Sequence, residues 1–136
     1  MVSPDGFDLL DLDEGDIPGP HVVESALGHG GSVWVRSADP GELASVAQRL
    51  LGLGLARQQL VLECPPGEVR RLAAGGWFVA VCPDDLGAVP GGALEAVVTR
   101  ALADGAGVVR SKHAEEVRRA MHITSALLLE RQGSAP

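Results

Sequence analysis

The sequence has 136 residues, of which 46% are hydrophobic and 21% charged, enough for a single α/β domain, residues 1–136, with its own buried core. Eighteen acidic residues against eleven lysines and arginines give a formal charge of −7, which disfavours nucleic acid and anionic membrane surfaces as partners. Aromatic residues make up only 3% and there is no tyrosine, so the chain lacks platforms on which unpaired bases stack.

Short apolar runs alternate with amphipathic stretches, and this alternation predicts strands and helices in turn. In chain order we predict a strand at 7–12, a helix at 21–27, a strand at 32–35, a helix at 40–51, a strand at 59–62, a helix at 67–74, a strand at 77–81, a helix at 93–103, a strand at 107–110 and a helix at 113–130. Asp39 is the predicted N-cap of the second helix, with Pro40 in its first turn. The helical spacing of the last helix predicts that Val117, Ala120, Met121, Thr124, Leu127 and Leu128 are buried. Residues 133–136 are predicted to form a frayed tail.

Strands joined by helical crossovers are parallel, which makes this an α/β fold. Right-handed crossovers leave two arrangements open for about five parallel strands: an open three-layer sandwich, or part of a TIM-like barrel. Five strands are too few to close an eight-stranded barrel, so we prefer the open sandwich. Either arrangement leaves an edge strand or a helix layer uncovered. We therefore also predict association, as a homodimer or with a partner that completes a larger barrel.

Polar residues follow each predicted strand. They are Asp11 and Asp13, Arg36 and Ser37, Glu63 and Cys64, 82–85, and 110–113. The carboxyl ends of parallel strands share one edge, and ligands of open α/β sheets bind there. The sequence thus predicts where a site lies, although no complete catalytic signature stands at that edge.

Arg110 and Lys112 alternate with apolar and small residues just before the last helix, so both are expected to point to one face. Two cations beside the free amides of a helix N-terminus would bind an anion. The alternative is that these cations pair with Glu115, Glu116 or the acids at the strand ends.

The acids that follow the first strand are weak candidates for a metal site. Asp13 and Asp16, with their acidic neighbours, could supply oxygen ligands to a divalent cation, or they could form a solvated turn. Glu63, Asp84 and Asp85 could serve as acid or base if burial raised a pKa. The histidines, at 21, 29, 113 and 122, are scattered, so no metal centre is predicted.

The cysteines, Cys64 and Cys82, form neither a CxxC pair nor a zinc pattern. They are predicted to be free, buried thiols, although both follow strands and could come close in space. The first eight residues do not resemble a signal peptide, and no apolar run is long enough to span a membrane. A cytoplasmic location is expected.

The stretch ALADGAGVVRSKHAEEVRRA, residues 101–120, resembles the last strand and helix of the dihydropteroate synthases, which carry GA-x-VVR-x-H-D before an R-x-A helix. GFDLLDLDEGD, residues 6–16, and VWVRSADPGEL, residues 33–43, are similar to the second and third strands of that pterin-binding family. The resemblance implies that Arg110 stands where the family has an arginine that contacts the anion and the pterin. It also implies that Glu63 replaces an acidic residue after the family's sixth strand.

Departures from the family pattern affect its chemistry. Arg36 stands where the family has the aspartate of V-D-T, Lys112 stands where it has a histidine, and the acidic segment 82–85 replaces a lysine. The asparagine of the family's N-D-x-S-G strand and the first strand with its phosphate loop have no counterpart. These departures imply a shortened, inactive relative.

A second family offers a different interpretation. Response-regulator receiver domains also have five βα units, with acids after strand one, an aspartate after strand three and a lysine after strand five. Asp13, Glu63 and Lys112 stand in those places, and Glu63 would imitate the phosphorylated state. The connection from Glu63 to Cys82 is short for that fold, so this receiver-like signalling or dimerisation module ranks second.

The predicted function is a non-catalytic domain of the dihydropteroate-synthase type. It would bind a small anionic or pterin-like ligand, using Arg110, Lys112, Glu63, Asp11 and Arg36, or act through protein contacts. An active transferase of the pterin or folate pathway is the enzymatic alternative. No cofactor motif stands in the chain, and a pterin or a phosphate-like anion is the ligand that the resemblance implies.

Overall fold

Five strands and five helices alternate through residues 7–28 and 31–133, the part of the chain that the computed structural model describes. The strands are β1 (Phe7–Asp11), β2 (Ser32–Arg36), β3 (Leu60–Glu63), β4 (Val79–Val81) and β5 (Val108–Val109). The helices are α1 (Pro20–Gly28), α2 (Pro40–Gly52), α3 (Val69–Ala74), α4 (Ala93–Ala103) and α5 (Ala114–Gly133). Helix α5 thus includes the first residue of the predicted tail, whereas residues 134–136 and His29 lie outside the described residues.

The sheet is parallel throughout, and its order, β1-β2-β3-β4-β5, follows the chain. The predicted α/β fold of five parallel strands is therefore confirmed. Doubly wound sheets reverse their strand order and so place helices on both faces, whereas right-handed crossovers that all run in one direction place every helix on the same face. Of the two arrangements, the sequential order is that of part of a barrel and not that of the preferred three-layer sandwich, which needs helices on both faces. It does not favour the receiver-like alternative, because receiver domains have the order 2-1-3-4-5.

Helix α2 shows why these segments adopt their structure. The Asp39 side chain accepts hydrogen bonds from the amides of Gly41 and Glu42 at 2.9 and 3.4 Å, which makes it the N-cap that the sequence predicts. Leu43 and Leu50, two turns apart, are fully buried against the sheet. Burial of such a leucine stabilises the fold by about 1.5–3 kcal/mol.

The main core lies on one face of the sheet, where alternate strand residues meet the helices. The strand residues on that face are Leu10, Val33, Val35, Leu60, Leu62, Val79 and Val81. A second cluster joins α4 to α5 through Val98, Val117 and Ala120. Helix α5 was predicted to bury Leu127 as well, but that side chain is 57% exposed. No described residue of α5 beyond Thr124 is buried, so the packing of this helix ends there.

The opposite face of the sheet carries the other set of alternating residues. Trp34, Val61, Ala80 and Val108 lie on it and belong to neither helix-packed cluster. The same alternation reaches the carboxyl ends of β1, β2 and β3. The last residue of each of these three strands therefore lies on this face and projects over the site described below.

Within residues 7–28 and 31–133, none of the helices is both long enough and apolar enough to cross a membrane.

Candidate functional site

A row of three charged residues ends the first three strands. Asp11, Arg36 and Glu63 are register partners, Asp11 with Arg36 and Arg36 with Glu63. Because paired residues of parallel strands point to the same side, all three lie on the face opposite the helices. The sequence placed these residues at one edge, and the register brings them into contact.

Glu63 is the centre of the site, and its side chain is only 5% exposed. Arg110 donates to it twice, from Nε to Oε1 at 2.8 Å and from Nη2 to Oε2 at 3.1 Å. Arg36 Nε lies 3.2 Å from Oε2, and the indole nitrogen of Trp34 donates to Oε1 at 3.3 Å. The bidentate pair with Glu63 raises the pKa of Arg110, so this arginine stays charged.

Arg36 connects Glu63 to two further carboxylates. Its Nη1 lies 3.7 Å from Asp11 Oδ2, and its Nη2 donates to Asp85 Oδ2 at 3.1 Å. The same Asp85 oxygen lies 3.9 Å from Arg110 Nη2. Three carboxylates therefore surround two guanidinium groups, and the arginines are cross-linked through Glu63 inside and Asp85 at the rim.

The segment before α5 binds a carboxylate of the chain itself. Asp84 accepts from the amide of Lys112 and from the hydroxyl of Ser111, both at 2.7 Å. Ser111 Oγ in turn accepts from the amide of His113 at 3.0 Å. The hydrogen bond from the backbone amide of Lys112 lowers the pKa of Asp84 most, and the hydrogen bond from the Ser111 hydroxyl lowers it further. The amide of Lys112, which the sequence offered to a ligand anion, is thus occupied by Asp84, while the Lys112 side chain is exposed.

The acids after β1 bind backbone amides of neighbouring turns. Asp13 accepts from the amide of Ala38 at 3.0 Å, and Asp16 accepts from the amide of Asp11 at 3.0 Å. Throughout the described ranges, no three histidine, cysteine or acidic side chains come together as metal ligands would. The carboxylates of Asp13 and Asp16 act in this structure as turn-stabilising groups.

The thiols of Cys64 and Cys82 are free and buried beside the site. Burial raises the pKa of Cys64 to about 12, with additional contributions from the charges of Glu68 and Glu63. Burial also raises the pKa of Cys82. Because the thiolate is the nucleophile and the metal ligand, both groups are inert near neutral pH.

A cleft of about 440 Å³ opens above this network. Its wall and floor are formed by Asp13, Arg36, Ser37, Ala38, Glu63, Cys64, Pro65, Pro66, Cys82, Asp85 and Leu86. The volume is in the range of small-molecule sites, and the position, at the carboxyl ends of the strands, is where barrel enzymes bind their ligands.

Four of the predicted ligand residues, Arg110, Glu63, Asp11 and Arg36, therefore form one connected cluster, and Lys112 lies outside its ion pairs. The sequence analysis did not place Trp34 in the site and so missed its hydrogen bond to Glu63. The signal was available, since Trp34 is two residues before Arg36 in a strand and so shares its face.

Solved structures of dihydropteroate synthases, and that of one further bacterial protein, have the same fold. The Yersinia pestis dihydropteroate synthase in a sulfonamide drug complex matches with a TM-score of 0.68 and 16% identity, over 90% of this chain and 60% of that chain. The Mycobacterium tuberculosis protein Rv1207 matches with a TM-score of 0.68 and 19% identity, over 95% and 61%. A Coxiella burnetii dihydropteroate synthase in complex with pteroic acid matches with a TM-score of 0.56 and 15% identity, over 86% and 65%.

The sequence resemblance is thus confirmed at the level of the fold. This chain spans about six tenths of the length of the structures that it matches. No protein-family model matches the chain, and no curated protein matches it by sequence.

Proposed function

We propose that this protein is a non-catalytic domain with the dihydropteroate-synthase fold, which binds a small anionic, pterin-like ligand in the cleft at the carboxyl edge of its sheet. One observation carries the proposal: a single buried carboxylate, Glu63, holds Arg36 and Arg110 beside a cleft of about 440 Å³. Two fixed guanidinium groups next to a cavity of that size suit a ligand with a carboxylate or phosphate group.

The arginines are positioned before any ligand arrives. Glu63 fixes the Nε of each one, at 3.2 Å for Arg36 and 2.8 Å for Arg110. Their side chains are still 35% and 46% exposed, so both guanidinium groups remain partly open to solvent. A ligand would lose little entropy to side-chain ordering here, because the ordering is already done.

The ligand class follows from the cleft together with the fold. The Coxiella burnetii structure holds pteroic acid, a planar pterin that carries a carboxylate at its far end. A cleft lined by Pro65, Pro66 and Leu86 gives such a ring an apolar wall, while the arginines attract the anionic group. This supports a pterin-like ligand rather than a simple inorganic ion.

Absence of catalysis is proposed from the state of the groups that line the cleft. The carboxylate of Glu63 is buried and engaged by Arg110, Arg36 and the Trp34 indole, so it is not placed to take a proton from a ligand. The thiols of Cys64 and Cys82 have raised pKa values and stay protonated. Where the resemblance places a family lysine, this chain carries Asp84 and Asp85, which would repel rather than stabilise an anionic leaving group.

Calorimetric titration with pteroic acid tests the proposal. The intact protein should bind it, and Arg110→Lys, which cannot form the bidentate pair with Glu63, should bind at least about tenfold more weakly. Arg100→Lys is the matched control, because Arg100 pairs with Asp104 on a distant surface at 3.0 Å. Circular dichroism establishes that each variant is folded.

Two results would contradict the proposal. Failure of the folded protein to bind pteroic acid or any anionic pterin would remove the ligand, and equal losses in Arg110→Lys and Arg100→Lys would remove the site. Formation of dihydropteroate under conditions in which a dihydropteroate synthase produces it would show that the domain is catalytic.

A second function, through protein contacts, is favoured by the end of α5. Ile123 and Leu127 lie one turn apart on this helix and are 62% and 57% exposed. Pairing of two such helices would make a homodimer, which sedimentation velocity would detect as a concentration-dependent increase in mass. Leu127→Lys should abolish that increase, whereas Leu86→Lys, at another exposed leucine, should not.

A further inference from the structure

The two guanidinium groups at the cleft already hold an anion that belongs to the chain. Asp85 Oδ2 accepts from Arg36 Nη2 at 3.1 Å and lies 3.9 Å from Arg110 Nη2. One exposed carboxylate oxygen thus faces both arginines, which the buried Glu63 also holds. A ligand oxyanion that bridged the two arginines would need this position.

The two carboxylates that hold the arginines differ sharply in exposure. The side chain of Glu63 is 5% exposed, whereas that of Asp85 is 50% exposed. A buried charge that loses its partners is strongly destabilising, which fixes Glu63 in place. An exposed ion pair contributes little, so Asp85 can leave the arginines at small cost.

The local backbone keeps Asp85 at the rim without burying it. Asp85 lies in the short 3-10 turn Pro83–Leu86, which ends at Gly87 with φ of 71°. Its amide donates to Cys82 O at 3.2 Å, so the turn persists when the side chain rotates. Its neighbour Asp84 is tied to Ser111 and Lys112, and displacement would therefore be confined to the Asp85 side chain.

We infer that Asp85 is a built-in competitor for the anion position between Arg36 and Arg110, and that a phosphate or carboxylate ligand binds by displacing it. Asp85 then sets the affinity and the specificity of the site: it excludes weak monovalent anions and admits a ligand whose oxyanion pairs with both arginines. This inference rests on the proposed anion site, and it adds the residue that controls access to that site.

Titration of Asp85→Asn with inorganic phosphate tests the inference. The substitution keeps the size of the side chain and removes its charge, so phosphate should bind about fivefold more tightly than to the intact protein, the factor that corresponds to about 1 kcal/mol for an exposed pair. In two-dimensional ¹⁵N spectra, the Nε–H resonances of Arg36 and Arg110 should shift on titration.

Asp104→Asn is the matched control. Asp104 also binds two arginines, Arg70 and Arg100, both at 3.0 Å, and its loss changes the net charge by the same amount. Phosphate affinity should stay unchanged in this variant. A double variant, Asp85→Asn with Arg110→Gln, should lose the gain that Asp85→Asn produces.

The outcomes separate this inference from the proposed function. If the intact protein binds pteroic acid but Asp85→Asn gains no affinity for phosphate, Asp85 is not a competitor and only the inference is overturned. Equal gains in Asp85→Asn and Asp104→Asn would show a general charge effect and overturn it too. If neither pteroic acid nor phosphate binds any folded variant, both proposals fail. Asp85→Ser provides a second variant should Asp85→Asn not fold.

Discussion

The Glu63 carboxylate accepts two hydrogen bonds from the Arg110 guanidinium, at 2.8 and 3.1 Å, although 47 residues separate them in the chain. Glu63 ends β3 and Arg110 follows β5, and β4 lies between them. The short residue Ala80 occupies the intervening position of β4 on the same face. A side chain of one methyl group at this position leaves β4 without a bulky group between the partners.

The ion network should therefore contribute to stability as well as to binding. Glu63→Gln removes the charge that both arginines share, and we expect the free energy of unfolding to fall by about 2 kcal/mol, less than for a fully buried pair because the arginines are partly exposed. Urea denaturation measures this change. Glu115→Gln, which breaks an exposed pair with Arg118, should cost less than about 0.5 kcal/mol. Equal costs would mean that the network adds no stability.

The cysteines should resist thiol-reactive reagents in the native protein. Because burial raises the pKa of Cys64 to about 12 and also raises that of Cys82, the thiolate is a minor form of both groups at pH 8. A thiol-reactive disulfide reagent should react slowly with the folded protein and label both cysteines at once in denaturant. Cys82→Ser isolates Cys64, and rapid labelling of this folded variant would contradict the assignment.

Stability should decrease in acid partly through Asp84. The hydrogen bonds from Lys112 and Ser111 lower the pKa of Asp84 in the folded protein. Its contribution to the free energy of unfolding is therefore complete above the unfolded pKa of about 3.9, and it is lost as the pH falls through the lower folded value. Asp84→Asn should be less stable than the intact protein by about 1 kcal/mol at pH 7. The difference should shrink below pH 4 in thermal melts, and a difference that grew in acid would refute the assignment.

Gly107 should tolerate no side chain while Phe78 keeps its position. A Cβ at Gly107 would overlap the ring of Phe78, which lies across the start of β5. We expect Gly107→Ala to cost about 1–2 kcal/mol, and most of that cost to disappear in a Phe78→Ala background, as a double-mutant cycle would show. Gly67→Ala, where a Cβ meets nothing within 4 Å, is the control. Additive costs at Gly107 and Phe78 would rule out the overlap.

Much of the fold could be predicted from local pattern. The capping of α2 by Asp39 and the apolar runs of the strands are properties of neighbouring residues, so the sequence revealed them directly. The bounds of β5 were less predictable: four residues were expected and Val108–Val109 form the strand, because strand length depends on the partner strand. The burial of Leu127 was predicted from helical spacing and is wrong, because periodicity does not show where the packing partner ends.

The sequence by itself determined that this chain is an α/β domain with charged residues gathered at the carboxyl edge of a parallel sheet, because alternation of strands and helices is written in local hydrophobicity. Only the tertiary structure decided that Glu63 holds both Arg36 and Arg110, that Asp85 faces the same two arginines, and that Asp84 occupies the amide before α5. These pairings join residues far apart in the chain. They depend on strand order and register, which set the distances between charges, and one sequence without its fold does not specify those distances.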